Sequence, residues 1–508
     1  MSRSKGGNAA VAQPEVTVVI GAYEAMPYLV ECLASLEAQT IAPERIEVIA
    51  VDDGSTDGTG ECLEEFAGRA PMPVTVIRQA NSGGPSGPRN IGLDRATGRY
   101  RTLAQCSALQ GGGVGHPARS GPKGRGGMAK IALSDDGVVG PTAGRAGSQA
   151  CGGRVRPTLA GRQWPVKQEP EVVPRSGTDR NLLPSGRRGR QVFFLDADDR
   201  LGHEALQRMV AMADRAGTDV VLGRVEGVNR GAPKSMWGRT LERTDVHSSP
   251  IKYTLSAQKL FRRALLVRHG IRFDESLFTG EDALFTMEAY LRANGVSVIA
   301  DHTCYYLVGR DDGRHVTKSG SHTLRFESAR RLADLIAALV PAGPRRDRLM
   351  LRPFTVTLLP QFGPRFLKDS DRVRRHKLEL AKPLMDAHWS EDVARHLKVE
   401  ERLRLHLVAE QRLELLTDAV KFTAERKQAP ALLERRGRRV YLVYPHFRDR
   451  AAGVPDSVYL ASPREARAFP GYREGGTATV LRRAARRARH LLTSPGRPAP
   501  EPKTPAAA

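Results

Sequence analysis

The sequence predicts an α/β protein in which apolar strands alternate with amphipathic helices to build a largely parallel sheet covered on both faces, followed by a helical region and a small β-containing module. Three features predict it. Short runs of Val, Ile, Leu and Phe recur from Pro14 onward, the composition of strands buried on both sides. Segments between them space their apolar residues for one helical face. Beyond about Thr317 the composition turns helical and charged, with two late strand-like runs.

The strand candidates are 16–20 (VTVVI), 46–51 (IEVIAV), 74–77 (VTVI), 192–195 (VFFL), 220–223 (VVLG) and 296–300 (VSVIA). Between the first two, Leu29, Cys32, Leu33 and Leu36 share a helical face, and Pro27 suits a first-turn position. Asp57 is placed to cap the helix carrying Leu63 and Phe66. Gly217 and Gly295 each follow a helical pattern where a left-handed residue would end it. Farther on, RFESARRLADLIAALV and EERLRLHLVAEQRLELLTDAVKF have helical spacing, and 440–444 and 457–461 read as strands. The end is a basic helix-like stretch, VLRRAARRARHLL, and a Pro/Ala tail expected to be disordered.

Residues 101–191 break this rhythm. They hold 18 Gly and 8 Pro in 91 positions, without periodicity, and read as an insertion lacking a core. The whole chain carries 79 Lys and Arg against 56 Asp and Glu, a formal charge of +23. That excess suits nucleic acid, acidic lipid or a phosphate-rich polymer. The insertion alone has 15 basic and 5 acidic residues, so much of the excess lies outside the predicted sheet. A non-catalytic nucleic-acid binder is the alternative that composition allows, but no nucleic-acid motif appears and no nucleic acid is expected as partner. The five cysteines are scattered with no CxxC spacing, which indicates neither a disulfide framework nor a zinc site. No apolar run approaches the roughly 20 residues of a membrane helix, and the opening MSRSKGGNAAVAQ lacks the apolar core of a signal peptide. A cytoplasmic protein is expected, at most peripheral at the inner face of a membrane. The terminal basic stretch could touch anionic headgroups, although a solvated charged helix is the commoner explanation.

The strongest chemical signal is VFFLDADD, a buried strand running into carboxylates at Asp196, Asp198 and Asp199. In extended chain, Asp196 and Asp198 point the same way. Strand C-termini are where open α/β sheets bind ligands, and hard oxygen donors suit Mn²⁺ or Mg²⁺. Taken alone, the motif is more often a polar loop after a strand.

Its context is VVIGAYEAMPYLVECLASLEAQ, then IEVIAVDDGSTDGT, then SGGPSGPRNIGLDRATG, all preceding VFFLDADD. This order resembles family 2 glycosyltransferases over residues 14–320 apart from the insertion. SGGPSGPRN, KLFRRALLVRHGIRFDESLFTGEDALF and YYLVGRDDGRHVT are similar to the wall teichoic acid, or polyol-phosphate, glycosyltransferases within that family. The resemblance implies a GT-A fold, a Rossmann-like mixed sheet that binds a nucleotide-diphospho-sugar, at 14–320. Composition and spacing, rather than the resemblance, place a helical linker region at 321–430 and a small β-containing module at 431–475, flanked by a disordered N-terminus at 1–13 and by the basic helix and disordered Pro/Ala tail at 476–508. The resemblance also implies inverting, metal-dependent transfer from a UDP-sugar donor, such as UDP-GlcNAc, to a polyanionic wall polymer or other glycan. Related enzymes form trimers, so a homo-oligomer is a further expectation.

Carried over residue by residue, the resemblance places Ala22, Tyr23 and Glu24 at the donor, with Tyr23 against the uracil; an ordinary core tyrosine is the competing reading. Asp53 matches the carboxylate that accepts the uracil N–H, where a helix cap is the plain alternative. Arg89 matches a position near the diphosphate, where a guanidinium can make paired bonds to phosphate oxygens. Asp198 matches the metal ligand, and Asp196 is assigned to the donor. Asp282 in GEDALF matches the catalytic base, with Glu281 assisting; both also suit the start of a helix. Arg310 falls where related enzymes close a loop over the donor, and His315 follows it. Because the insertion enters at the N-terminal end of the strand bearing the carboxylates, a site at the opposite end is expected to survive it. The alternative is that 101–191 is translated foreign coding sequence that impairs activity.

Overall fold

The computed structural model describes residues 14–96, 191–311, 322–425 and 432–468. Its early elements are β1 (Val16–Ala22), α1 (Tyr28–Glu37), β2 (Ile46–Asp52), α2 (Thr59–Arg69), β3 (Val74–Arg78) and α3 (Ser86–Ala96). After the insertion come β4 (Gln191–Asp196), β5 (Arg200–Leu201), α4 (Ala205–Ala216), β6 (Val220–Val228), β7 (Leu241–Thr244), β8 (Leu260–Arg262), α5 (Arg263–His269), α6 (Glu281–Arg292) and β9 (Val296–Val308). Nine strands of the described residues form one sheet, in the order β3-β2-β1-β4-β8-β6-β9-β5, with β7 also on β9.

The sheet is mixed, as the resemblance to a GT-A fold implies and as the alternation of strands and helices alone does not. β1 to β4 pair in parallel, as do β6 and β9, but β8 runs antiparallel to both β4 and β6. The physical reason is β8 itself. It is a three-residue strand, LFR, directly continued by α5, and it falls outside the strand candidates of the sequence.

Alternate residues of β1 feed two cores. Val18 and Ile20 pack with Leu29, Leu33 and Leu63 of α1 and α2. Val19 faces the other way, toward Leu93 of α3, Phe194 of β4 and Phe285 of α6. Phe194 meets Phe261, Phe273 and Phe285 edge-on at 5.0–6.0 Å, an arrangement aromatic rings favour.

The second core continues into the C-terminal third. There follow α7 (His322–Leu339), α8 (Pro344–Arg352), a π-helical turn (Pro353–Leu358), α9 (Asp371–His388), α10 (Glu391–Ala394), α11 (Val399–Ala409), α12 (Leu413–Glu425), a β10–β11 hairpin (Leu432–Arg436, Arg439–Val443) and α13 (Pro463–Ala468). Phe326, Ile336, Phe354 and Tyr459 belong to the same apolar cluster as Val19. The helical region is thus packed onto the sheet rather than strung beyond it.

Several local expectations change. The run at 400–422 is two helices, separated at Gln411 by a left-handed residue (φ 54°). The run at 457–461 is no strand: Pro455 precedes a 3-10 turn (Asp456–Tyr459), and a lone bridge from Tyr441 to Leu460 is its tie to the hairpin. Gly217 does end α4 in the left-handed region (φ 62°). Gly295 does not end α6, which stops at an extended Ala293; a side chain at Gly295 would meet Arg243. Pro27 stands just before α1, not inside it. Gly58 rather than Asp57 occupies the cap position of α2, though the Asp57 carboxylate does accept from the Thr59 amide at 3.1 Å. The basic stretch VLRRAARRARHLL, the insertion and His315 lie outside the described residues. No helix among the described residues is long and apolar enough to cross a membrane.

Candidate active site

Strand register brings the motifs together. Ala22 pairs with Asp52 and Gly21 with Asp196, so the C-terminal ends of β1, β2 and β4 form one edge. This is the edge at which open α/β sheets receive ligands.

On the β1–β2 side, Tyr23 leaves the strand 54% exposed, its ring open to a flat ligand. Glu24 is left-handed (φ 46°), a conformation that bonding on both sides holds. Its amide donates to Ser55 Oγ at 3.0 Å, and its carboxylate accepts from the Thr56 amide at 2.8 Å and hydroxyl at 3.0 Å. The buried Ala22 carbonyl accepts from the Asp53 amide at 2.9 Å. Asp53 is itself buried, and its carboxylate takes bonds from Gln79 Nε2, the Ser82 amide (3.0 Å) and the Ser82 hydroxyl (2.8 Å). It thereby ties β2 to the turn that precedes α3.

Arg310 closes over this region. Its Nη2 donates to the Glu24 carbonyl at 2.8 Å and its guanidinium lies 5.2 Å from the centre of the Tyr28 ring, while the Asp311 amide donates to Tyr28 Oη at 2.8 Å.

Arg89 joins the two halves of the site. It sits on α3, nine-tenths buried, and donates to Asp196 Oδ1 at 2.7 Å and Glu281 Oε1 at 2.9 Å, with Phe273 under its guanidinium at 5.3 Å. One side chain therefore links α3, the end of β4 and the start of α6. Glu281 and Asp282 open α6 behind Gly280, which is left-handed (φ 87°) and where a side chain would also collide with Ser328 of α7. Burial and the neighbouring Asp282 push the Glu281 carboxyl up to about 7, against the pull of Arg89. Burial also raises Asp282, opposed by Arg89 and Lys259.

The three carboxylates after β4 have separate environments. Asp196 has both oxygens occupied, the second by Gln258 Nε2. Asp199 is buried and structural: it accepts from Tyr305 Oη at 2.9 Å and the Val308 amide at 2.8 Å, fastening the turn to β9. Between them, the Asp198 carboxylate takes no bond from another side chain among the described residues. Burial first, then Asp196, push it up to about 6, with Arg310 pulling it down.

Sequence reasoning missed Gln258 and Lys259. Lys259 is 3% exposed; its Nζ donates to the Ser256 carbonyl, which also accepts from Thr286 Oγ1 at 3.2 Å. Thr286 lies one helical turn beyond Asp282, so the ammonium is held against the face of α6 that carries Asp282. Burial lowers Lys259 to about 7, with Asp282 drawing it back up. KLFRR was visible in the sequence, but nothing marked its lysine as buried.

Comparison with known proteins matches this arrangement to one family. Residues 17–104 and 187–273 match glycosyl transferase family 2, an interrupted match that leaves out most of the insertion. Over those residues the chain is similar to glycosyltransferase family 2. Residues 324–420 match the glycosyl transferase TarS linker domain, which accounts for the helical region. The chain is 28% identical over 326 residues to a poly(ribitol-phosphate) β-glucosyltransferase of Bacillus spizizenii, covering 64% of this chain and 37% of that protein. Against the poly(ribitol-phosphate) β-N-acetylglucosaminyltransferase TarS of Staphylococcus aureus it is 28% identical over 304 residues, covering 60% and 37%. The chain thus spans little more than a third of those relatives' length. A crystal structure of S. aureus TarS residues 1–349 in complex with UDP-GlcNAc superposes with a TM-score of 0.60 at 23% identity, covering 85% of this chain and 97% of that one. The sheet is therefore of the GT-A type, followed by a helical linker and a small β module.

Proposed function

We propose that this chain is an inverting, divalent-metal-dependent transferase that moves a sugar from a UDP-sugar to a polyol-phosphate polymer. The observation that carries the reading is the Arg89 tie, which fixes Asp196 of the DxD turn and Glu281 of the GED helix to one guanidinium. On this reading, Asp196 is assigned to the donor and Glu281 precedes the assigned base, Asp282. The relatives' names supply the acceptor class, and the UDP-GlcNAc complex of a similar fold supports the donor class.

Among the described residues, no group of three or more His, Cys, Asp or Glu side chains forms a metal cage. The donor set still fits a hard cation. Asp198 is a half-buried carboxylate without a side-chain partner, and Mg²⁺ or Mn²⁺ bound at such sites commonly takes one or two protein carboxylates, with water and substrate phosphate completing the shell. When bound, the ion would neutralise charge on the departing diphosphate. Tyr23 stacks on the base, Asp53 holds the turn that meets it, and Arg89 and Arg310 supply cationic donors around the phosphates. Asp282 removes the acceptor hydroxyl proton as that oxygen attacks the anomeric carbon and the bond to diphosphate breaks on the opposite face. Its raised pKa suits a base that must hold a proton during turnover.

The test is transfer from a panel of UDP-sugars to poly(ribitol phosphate) and poly(glycerol phosphate) with Mn²⁺. Asp282→Asn is expected to abolish transfer while sparing UDP binding, and Asp198→Ala to remove the metal-dependent part of UDP binding. Full activity in either variant would overturn the role assigned to that residue.

A further inference from the structure

We propose that Arg345, Arg348 and Arg352 of α8, together with Lys252, form an anion track that leads the phosphodiester backbone of a polyol-phosphate acceptor to Asp282. This rests on the acceptor class proposed above and adds where the polymer lies.

The three arginines are spaced three and four apart, so they stand on one side of the helix, spread along ~10 Å of its axis. They border the face that buries Leu349 and Met350. Arg345 and Arg348 are exposed, and neither makes an ion pair among the described residues. Arginines on the adjacent α7 behave differently: Arg330 and Arg331 are tied to Glu327, Asp334 and Asp274. The α8 row therefore presents uncompensated charge.

The 3-10 turn Pro250–Tyr253 aligns this row with the catalytic helix. Lys252 Nζ donates to the Arg348 carbonyl at 2.8 Å, and the next residue, Thr254, accepts from Tyr290 Oη of α6 at 2.9 Å after that turn. At the inner end, Arg352 is half-buried. Its Nη1 donates to Thr357 Oγ1 at 3.2 Å and its Nε is buried without a partner; burial lowers its pKa, offset in part by Asp282 and the Tyr253 phenol. Around the outer end, Lys252, His247 and His396 are each held below their usual range by burial, with Arg345 or Arg348 adding to the effect. The acids near them are Asp245 beside His247 and Asp347 beside His396; Asp347 points to another side of α8.

A row suits a repeating anion better than a single diphosphate, which one clamp can hold. Its half-buried inner end also suits a single flexible strand better than a duplex or a bilayer, neither of which could follow Arg352 inward.

The experiment compares Arg345→Ala/Arg348→Ala with wild type in transfer to poly(ribitol phosphate) across a salt series, with the unfolding temperature confirming the fold. KM for the polymer is expected to rise about tenfold, and the slope of log KM against log salt to fall by between one and two, since each lost phosphate contact releases fewer counterions. Arg208→Ala/Arg215→Ala on α4, with the same change in net charge, is the control. An unchanged KM and slope in the α8 variant, or an equal effect in the control, overturns the track. So does an equal loss of binding to duplex DNA or to anionic vesicles, which would make α8 a general basic surface. If wild type transfers no sugar to the polymer, the acceptor reading fails on its own. Direct polymer binding then judges the track: a shallower salt slope in the double variant supports it, and an unchanged slope overturns it.

Discussion

Arg89→Met removes the charge that joins the two ends of the site while keeping most of the side chain's bulk over Phe273. In the wild type, Glu281 is 6% exposed and its pKa stands near 7 instead of the ordinary 4.5. A folded-state pKa above the unfolded one means that Glu281 favours folding most below pH 4.5, and that this contribution disappears as pH rises through about 7. At 1.36 kcal/mol per pKa unit, the wild type is roughly 3 kcal/mol worse off at high pH through this group alone. Without Arg89 the Glu281 pKa climbs further. At pH 8 the variant can limit the damage by taking up a proton, which bounds the extra loss from Glu281 at roughly 1 kcal/mol. At pH 5.5 Glu281 is already protonated in both folded proteins, and the loss that remains is the charged hydrogen bond to Asp196, about 1.5–3 kcal/mol. Urea unfolding at the two pH values is the assay, with the midpoint read at constant m-value. The expected destabilisation is about 2 kcal/mol at pH 5.5 and about 3 kcal/mol at pH 8. An equal loss at both pH values, or less than about 1 kcal/mol at either, would refute the idea that Arg89 compensates the buried Glu281 and the half-buried Asp196.

Lys259→Met should raise the pKa of Asp282 by removing a facing cation, moving the acid limb of the kcat/KM profile up by about one pH unit; Lys259→Arg should restore it partly, and an unmoved limb in the methionine variant would leave the lysine a purely structural role. Gly92→Ala places a methyl group against Val19 of β1, pushing α3 away from the sheet. It should cost about 1–3 kcal/mol in urea unfolding and raise KM for the donor, because Arg89 rides on the same helix; wild-type stability would show that β1 and α3 can separate freely. Tyr23→Ala should leave stability within about 0.5 kcal/mol, given its exposure. It should weaken UDP binding by about 1–3 kcal/mol, measured by calorimetry, and unchanged affinity would remove Tyr23 from the base pocket.

Much of the framework was legible because the strands open on short, largely apolar runs, so those beginning at Val16, Ile46, Val74, Val220 and Val296 each start a strand. β8 was hidden because its three residues lead straight into a helix without an intervening turn signal. The 457–461 run, SVYLA, has the apolar and aromatic composition of a strand, yet Pro455 and the burial of Tyr459 favour a helical turn. At the site, DxD, DDGS and GED are local patterns, and local patterns survive in one dimension. Gln258, Lys259 and the α8 arginines act through contacts across 62 residues or more, or between elements whose packing no periodicity encodes. Arg89 falls between the two cases. Its place near phosphate was suggested by the motif around it, but its burial between Asp196 and Glu281 was not. This difference changes what the residue can do. An arginine free in solution competes with water for each phosphate, whereas one already fixed by two carboxylates gives up part of its charge to them and receives in return a fixed direction. On the proposed roles, a diphosphate arriving beside Asp196 would share that guanidinium with Glu281, and any shift of Arg89 toward the donor would alter the charge next to Asp282. Donor binding and the proton affinity of the proposed base would then be coupled through one side chain.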